Sequence, residues 1–496
     1  RGPGPVTGFW AAHAWVGDRL RREVRIAADR HGRIAEVAAP APARPGDRVL
    51  GGVVFPGAVN AHSHAFHRRL RGRTHGPDGR DAGWRPGDAG RGGDFWTWRR
   101  AMYREAAKLE PASYERLATA VYAEMVVAGW TGVAEFHYLH HRPDGSPYGE
   151  PHAMELALAR AARAAGIRLT LLDACYLAGG FDQPLEAGQR RFGDGDAAGW
   201  LNRLGRLRGR IAAEFAPDQV IVGAALHSVR AAPERELAVI AAELPPDLPL
   251  HVHLSEQPAE NEACLAATGL TPTGLLASRG LVCERLSVVH ATHLTGQDIA
   301  LLGAFGVTAV LCPSTEADLG DGIGPARALA DAGAALALGS DQQAVVDPFA
   351  EARALEYGQR LASGRRGLFS QPDLVAALGV GGARAAGRSA PPSGDPAGGI
   401  GPEPAQERRA AAGGASAGGL PGAGQAGVLR VGAWCDLVAV DDGGVRTQGS
   451  APEQLIMSAT SADVAVVVVG GRVVAERGVH VELGDVGALL RAAMVP

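Results

Sequence analysis

The sequence predicts an α/β protein: a (β/α)8 TIM-type barrel with a small β-sandwich domain built from both chain ends. Three observations carry this reading. Eight short apolar runs alternate with amphipathic stretches between residues 50 and 345. The runs are continuously apolar, as in a parallel sheet buried on both faces. The two flanks instead read as short antiparallel strands joined by tight polar turns.

The elements follow in order. Residues 8–52 supply strands of the flanking domain. The barrel runs are Val53–Ala61, Thr131–Tyr138, Arg168–Cys175, Val220–Leu226, Leu248–Leu254, Leu286–Ala291, Val307–Cys312 and Ala335–Gly339. Helix-like segments lie between them, among them Ser113–Ala128, His152–Ala165, Glu234–Ala242 and Gly296–Ala304. Residues 428–484 return to strand character, and VGGRVV reads as a hairpin turn. The expected division is 1–54 for the first part of the β-domain, 55–386 for the barrel, 387–427 for an insertion and 428–496 for the rest of the β-domain.

Composition limits the function classes. With 46% hydrophobic and 21% charged residues, the 496-residue chain has the balance of an ordinary globular protein. Gly and Pro are in excess, concentrated partly in 387–427 and 71–94. The first reads as a disordered insertion with too little apolar surface to offset ordering. The second reads as a long mobile loop, a lid candidate. A net charge of −4 gives no pull toward nucleic acid or anionic membrane. No apolar run reaches the ~18 residues of a membrane span. The first residues show no basic-then-apolar signal peptide. Five scattered cysteines without a CxxC pair fit reduced thiols, hence a cytoplasmic location.

Polar residues at the strand ends carry the chemistry, because such barrels place their active sites at the C-terminal ends of the strands. The first run leads into His62-Ser63-His64, whose imidazoles share a face. Strand 2 ends Glu135-Phe136-His137-Tyr138, and strand 4 ends in His227 with Arg230 beyond. Strand 5 ends His251-Val252-His253-Leu254-Ser255-Glu256; strand 6 runs into His290 and His293; strand 8 closes on Ser340-Asp341. A lone His-x-His is weak, and a lone Ser-Asp is usually a turn. Histidines plus an aspartate from strands 1, 5, 6 and 8 together have a metal-site composition.

The stretches PGAVNAHSHAFHR (56–68), FWTWRRAMYR (95–104), VAEFHYLHHRPDGSPY (133–148), LHSVRA (226–231), HVHLSEQPAE (251–260), HATHL (290–294), CPSTEADLGDGIGP (312–325) and GSDQQAVVDPFAEARALEYGQRL (339–361) resemble the amidohydrolase superfamily. Within it they resemble the family that deiminates N-formimino-L-glutamate in histidine degradation. The resemblance spans nearly the whole chain apart from the two Gly-rich segments. It implies one divalent metal, Zn²⁺ with Fe²⁺ as the alternative, on His62, His64, His253 and Asp341. His251 would lie deeper. Asp341 would also act as base, Glu256 would protonate the imine nitrogen, and His290 would hydrogen-bond the attacking oxygen. A helix-start role is the plainer alternative for Glu256. Arg99, Arg230, Tyr138, His227 and His67 would bind a small dicarboxylate substrate. Members often form homodimers.

Of 49 Lys and Arg residues only Lys108 is a lysine, in a helix-and-loop context, so a lysine-bridged pair of metals is not expected. The chain departs from the family at His67, where Gln is usual, at Gln342-Gln343 in place of Ser-His, and in a longer 71–94 loop. The rival readings are a mononuclear deaminase of guanine or cytosine, and a catalytically inactive barrel subunit.

Overall fold

The computed structural model describes residues 7–75, 93–389 and 425–494. The loop expected at 71–94 and the insertion expected at 387–427 fall largely outside these residues.

Four strands come first: β1 (Thr7–Val16), β2 (Arg19–Ala28), β3 (Ile34–Ala38) and β4 (Arg48–Pro56). Eight barrel strands follow: β5 (Ala58–Ser63), β6 (Trp130–His137), β7 (Arg168–Cys175), β8 (Val220–Leu226), β9 (Leu250–Leu254), β10 (Leu286–His290), β11 (Thr308–Leu311) and β12 (Ala335–Leu338). The chain closes with β13 (Leu437–Val440), β14 (Val464–Val469), β15 (Arg472–Glu476) and β16 (Val479–His480).

β5 to β12 pair in sequence order, all parallel. The first and last strands meet at the rim: Ser63 bridges Asp341, and the Ser340 and Asp341 amides donate to the His62 carbonyl at 3.1 and 3.0 Å. Gly339 permits this approach, because a Cβ there would lie 2.8 Å from the His62 oxygen. Barrel closure thus sets His62 and His64 beside Asp341, which is remote in sequence.

Helices α1 (Phe95–Ala106), α2 (Pro111–Ala128), α3 (Ala153–Ala165) and α4 (Ala197–Glu214) show how local sequence sets their bounds. Asp94 and Thr97 cap α1 reciprocally. α2 starts at Pro111 and stops at Gly129, whose φ of 109° is open to glycine.

The chain ends form one eight-stranded sheet, in the order β16-β15-β14-β13-β4-β1-β2-β3. Its own small core includes Phe9, Ile26, Leu50, Leu437 and Val468. The VGGRVV turn joins β14 to β15 with both glycines at positive φ, 58° and 73°. β1 and β4 run parallel, where antiparallel pairing was expected. The run expected as one strand, Val53–Ala61, is two strands in different sheets. They divide at Gly57, where a Cβ would lie 2.3 Å from Thr131 Oγ1. Both sides of that break are buried, so no polar residue marks it. Among the described residues no helix is long and apolar enough to cross a membrane.

Candidate active site

Four side chains converge at the C-terminal mouth of the barrel. His253 Nε2 lies 3.2 Å from His62 Nε2 and 3.3 Å from His64 Nε2. Asp341 Oδ1 lies 3.4 and 3.5 Å from the same two nitrogens. These four separations approach the roughly 3.3–3.4 Å that neighbouring ligand atoms keep when each is about 2.0–2.1 Å from one tetrahedral ion. The tautomers make the same point. His64 Nδ1 faces the Phe136 carbonyl at 2.7 Å, and His253 Nδ1 faces the His227 carbonyl at 2.8 Å. Each Nδ1 must therefore carry the hydrogen, so both Nε2 atoms present bare lone pairs to each other. Burial holds both imidazoles well below the usual histidine range, which opposes protonation. Neutral imidazoles aimed at one point with a carboxylate fit a divalent metal. Among the described residues, five of the nine non-glycine positions with positive φ lie around this mouth: Ser255, His290, Ala291, Asp341 and Gln343.

A buried hydrogen-bonded chain supports these residues. Asn60 Nδ2 donates to Ser340 Oγ at 2.7 Å, and Ser340 Oγ to Gln343 Oε1 at 2.9 Å. Gln343 Nε2 donates to Ser63 Oγ and to the Asp341 carbonyl, each at 2.9 Å. Ser63 Oγ donates to Glu135 Oε2 at 2.7 Å. Gln342 instead donates to Asp318 at 2.7 Å.

The acid–base groups lie next to the cluster. Glu256 is buried, and its Oε1 is 3.6 Å from His290 Nε2. Burial, with Asp341 and Glu260 nearby, raises its carboxyl to about 7. Burial opposes charge on His290, but Glu256, Glu316 and Asp341 outweigh it and raise the imidazole to about 10. Burial likewise opposes charge on Asp341, yet His62 and His290 hold that carboxyl well below the usual range. Glu256, His290 and Asp321 offer atoms within 4.8 Å of one another. Burial, then the Glu256 charge, raises Asp321 to about 9.

The pocket beside these groups is lined by His64, His67, Trp98, Arg99, Tyr103, Tyr138, Tyr176, His227, Arg230, His253, Glu256, His290 and Asp341. Every candidate residue but His62 is there, and His62 Nε2 lies 3.2 Å from His253 Nε2. His67 Nε2 is 3.1 Å from the Tyr138 hydroxyl, and burial lowers its imidazole to about 3. His251 lies deeper, 2.8 Å from the Ala385 carbonyl. Lys108 is exposed and paired with Glu105, away from the cluster. His137 is on the outer side of its strand, 3.6 Å from Glu155 on α3. A larger cleft of about 710 Å³ at the opposite end of the barrel, lined by Arg163, Arg168, Trp434 and Gly470, contains none of the candidate residues.

Sequence reasoning missed Tyr103, Tyr176 and Asp321. Tyr103 follows Arg99 by one helical turn, so both share a face of α1. Tyr176 directly follows β7, where the strand-end rule applies equally.

The Amidohydrolase family model matches residues 53–399. Formimidoylglutamate deiminase from Pseudomonas aeruginosa is 40% identical over 77% of this chain and 83% of that protein. An 8-oxoguanine deaminase from the same organism is 29% identical over 68% of this chain and 70% of its own length. The crystal structure of an amidohydrolase from Brucella melitensis is 29% identical and superposes with a TM-score of 0.80, covering 98% of this chain and 99% of that one. With its barrel, its convergent histidines and aspartate, and these relatives, the chain belongs to the amidohydrolase family and is a hydrolase of carbon–nitrogen bonds.

Proposed function

We propose that this enzyme hydrolyses N-formimino-L-glutamate to N-formyl-L-glutamate and ammonia, a step of histidine degradation. One observation carries the reading: Arg99 lines the same pocket as Glu256, His290 and Asp341, and no acidic side chain pairs with it among the described residues. A guanidinium held beside hydrolytic groups without a carboxylate of its own fits a substrate that brings one. The 40%-identical relative named for this activity supports the assignment.

Three imidazoles and one carboxylate suit Zn²⁺. Bound there, the ion's chemistry would be to lower the pKa of water from 15.7 toward ~7, so that hydroxide is available at neutral pH. Asp341 takes one water proton as the C–O bond forms at the formimino carbon. Glu256 delivers its proton to the imine nitrogen as the C=N bond becomes single. The His290 imidazolium hydrogen-bonds the added oxygen. Asp341 then passes its proton to the same nitrogen, the C–N bond breaks, and ammonia leaves. The remaining hydroxyl proton returns to Glu256 as the formyl C=O forms. Arg99 and Arg230 hold the substrate carboxylates, with Tyr138, His227 and His67 around the chain between them.

Ammonia release is the test, measured with N-formimino-L-glutamate, guanine and cytosine on one preparation whose metal content is determined in parallel. Turnover of the formimino substrate alone supports the proposal. Turnover of a base alone overturns it in favour of a nucleobase deaminase, and no turnover by metal-loaded protein overturns it in favour of a non-catalytic subunit.

A further inference from the structure

Arg99 sits in a hydrogen-bonded cage. Its Nε donates to the Tyr103 hydroxyl at 2.6 Å, and its Nη2 to the Tyr176 hydroxyl at 3.3 Å. Gln189, which is buried, donates from Nε2 to both of those oxygens at 3.0 Å. The amide cannot be reversed, because Gln189 Oε1 accepts the Glu186 N–H at 2.8 Å. Each phenol oxygen therefore accepts two N–H donors, which uses its lone pairs and leaves its own O–H to donate. The two hydroxyls are 3.4 Å apart, but neither has acceptor capacity left for the other. Burial pushes the Tyr176 phenol well above its usual range, so it keeps that proton. Both tyrosines line the pocket. The cage thus ends in two O–H donors and several unused guanidinium N–H groups. An acceptor-only anion with two oxygens completes it. Arg230 differs, since its Nε lies 3.5 Å from Glu260 Oε1 and part of its charge is already answered.

We infer that Tyr103 and Tyr176, oriented by Gln189, form with Arg99 a clamp for one carboxylate of the substrate. Tyr103 and Tyr176 are specificity-determining donors, and Gln189 is a positioning residue that turns their hydroxyl protons toward the pocket. The inference rests on the dicarboxylate reading and names the residues that select it.

The test uses the metal-loaded full chain and glutarate, a dicarboxylate that cannot be turned over. Calorimetric glutarate binding is compared in wild type, Tyr103→Phe, Tyr176→Phe, the double variant and Gln189→Ala. Kinetics on N-formimino-L-glutamate run alongside. A hydrogen bond to a charged group supports an expected loss of about tenfold per hydroxyl. KM should rise by a similar factor, with kcat within about threefold and metal content unchanged. Gln189→Ala should weaken glutarate with both hydroxyls present, and guards against misfolding of a Phe variant. Unchanged glutarate affinity in the double variant, with an unchanged melting temperature, overturns the clamp. If wild type binds glutarate through the tyrosines yet releases no ammonia from the formimino substrate, the clamp stands and the substrate assignment falls.

Discussion

Glu256→Gln tests the assigned acid directly. The amide keeps the shape of the side chain and removes its proton and charge. Glu256 is not among the four groups that converge on the metal position, so metal content should stay at the wild-type level. The substrate carboxylates are assigned to Arg99 and Arg230, so KM should change less than about threefold. The loss falls on the proton transfer, where a positioned acid contributes about 10²–10⁴-fold. That equals about 3–5 kcal/mol of barrier at 1.36 kcal/mol per tenfold. A second signature is the pH profile. Burial raises Glu256 to about 7, so its protonated, donating form persists to neutral pH. Turnover should fall with rising pH above about 7, tenfold per unit, and Glu256→Gln should lack that limb. The assay couples ammonia release to a dehydrogenase, with metal analysis on the same samples. Turnover within threefold of wild type, or an unchanged alkaline limb, would remove Glu256 from the mechanism. Lost metal would show it to be structural.

Three further outcomes are expected. Chelation should lower the melting temperature by several degrees and Zn²⁺ should restore it, since an ion at 1,000 times its Kd stabilises by about 4 kcal/mol; an unshifted melting curve would argue against a metal on His62, His64, His253 and Asp341. Gln343→Ala deprives Ser63 and Ser340 of buried partners, which should cost about 1–3 kcal/mol in urea unfolding and weaken metal retention; no change in either would sever Gln343 from the site. Arg203 lies 3.1 Å from Glu155 and 2.7 Å from both Asp173 and Asp194, so Arg203→Met should cost about 3–5 kcal/mol by leaving buried carboxylates unpaired. Burial opposes the Asp194 charge, but His141 and Arg203 hold its carboxyl below the usual range. Its contribution is therefore complete above about pH 4 and lost as pH falls through the folded value. Wild type should lose more stability than Arg203→Met on acidification from pH 4 to 3, and equal losses would refute the coupling.

The barrel was legible because its strands are apolar runs, most of them ended by a polar residue, and the period of two put His62 and His64 on one face. The meeting of His62 with Asp341 followed only from the barrel reading, since closure brings the first and last strands together. The strand break at Gly57 was not legible, because the residues on both sides of it are buried and the hydrophobic signal runs across it. The Arg99 cage was not legible either. Tyr103 and Tyr176 are ordinary aromatics in sequence, and the direction of their hydroxyls depends on Gln189, a residue of an irregular segment. Gln343 stands where the sequence resemblance leads one to expect His. In the fold its amide accepts from Ser340 and donates to Ser63 and the Asp341 carbonyl, joining both metal-facing segments with one neutral side chain. A histidine there would supply one donor and one acceptor when neutral, against the two donors and one acceptor used here. Gln343 therefore provides, without a titratable group, an extra hydrogen bond to the backbone of the assigned base.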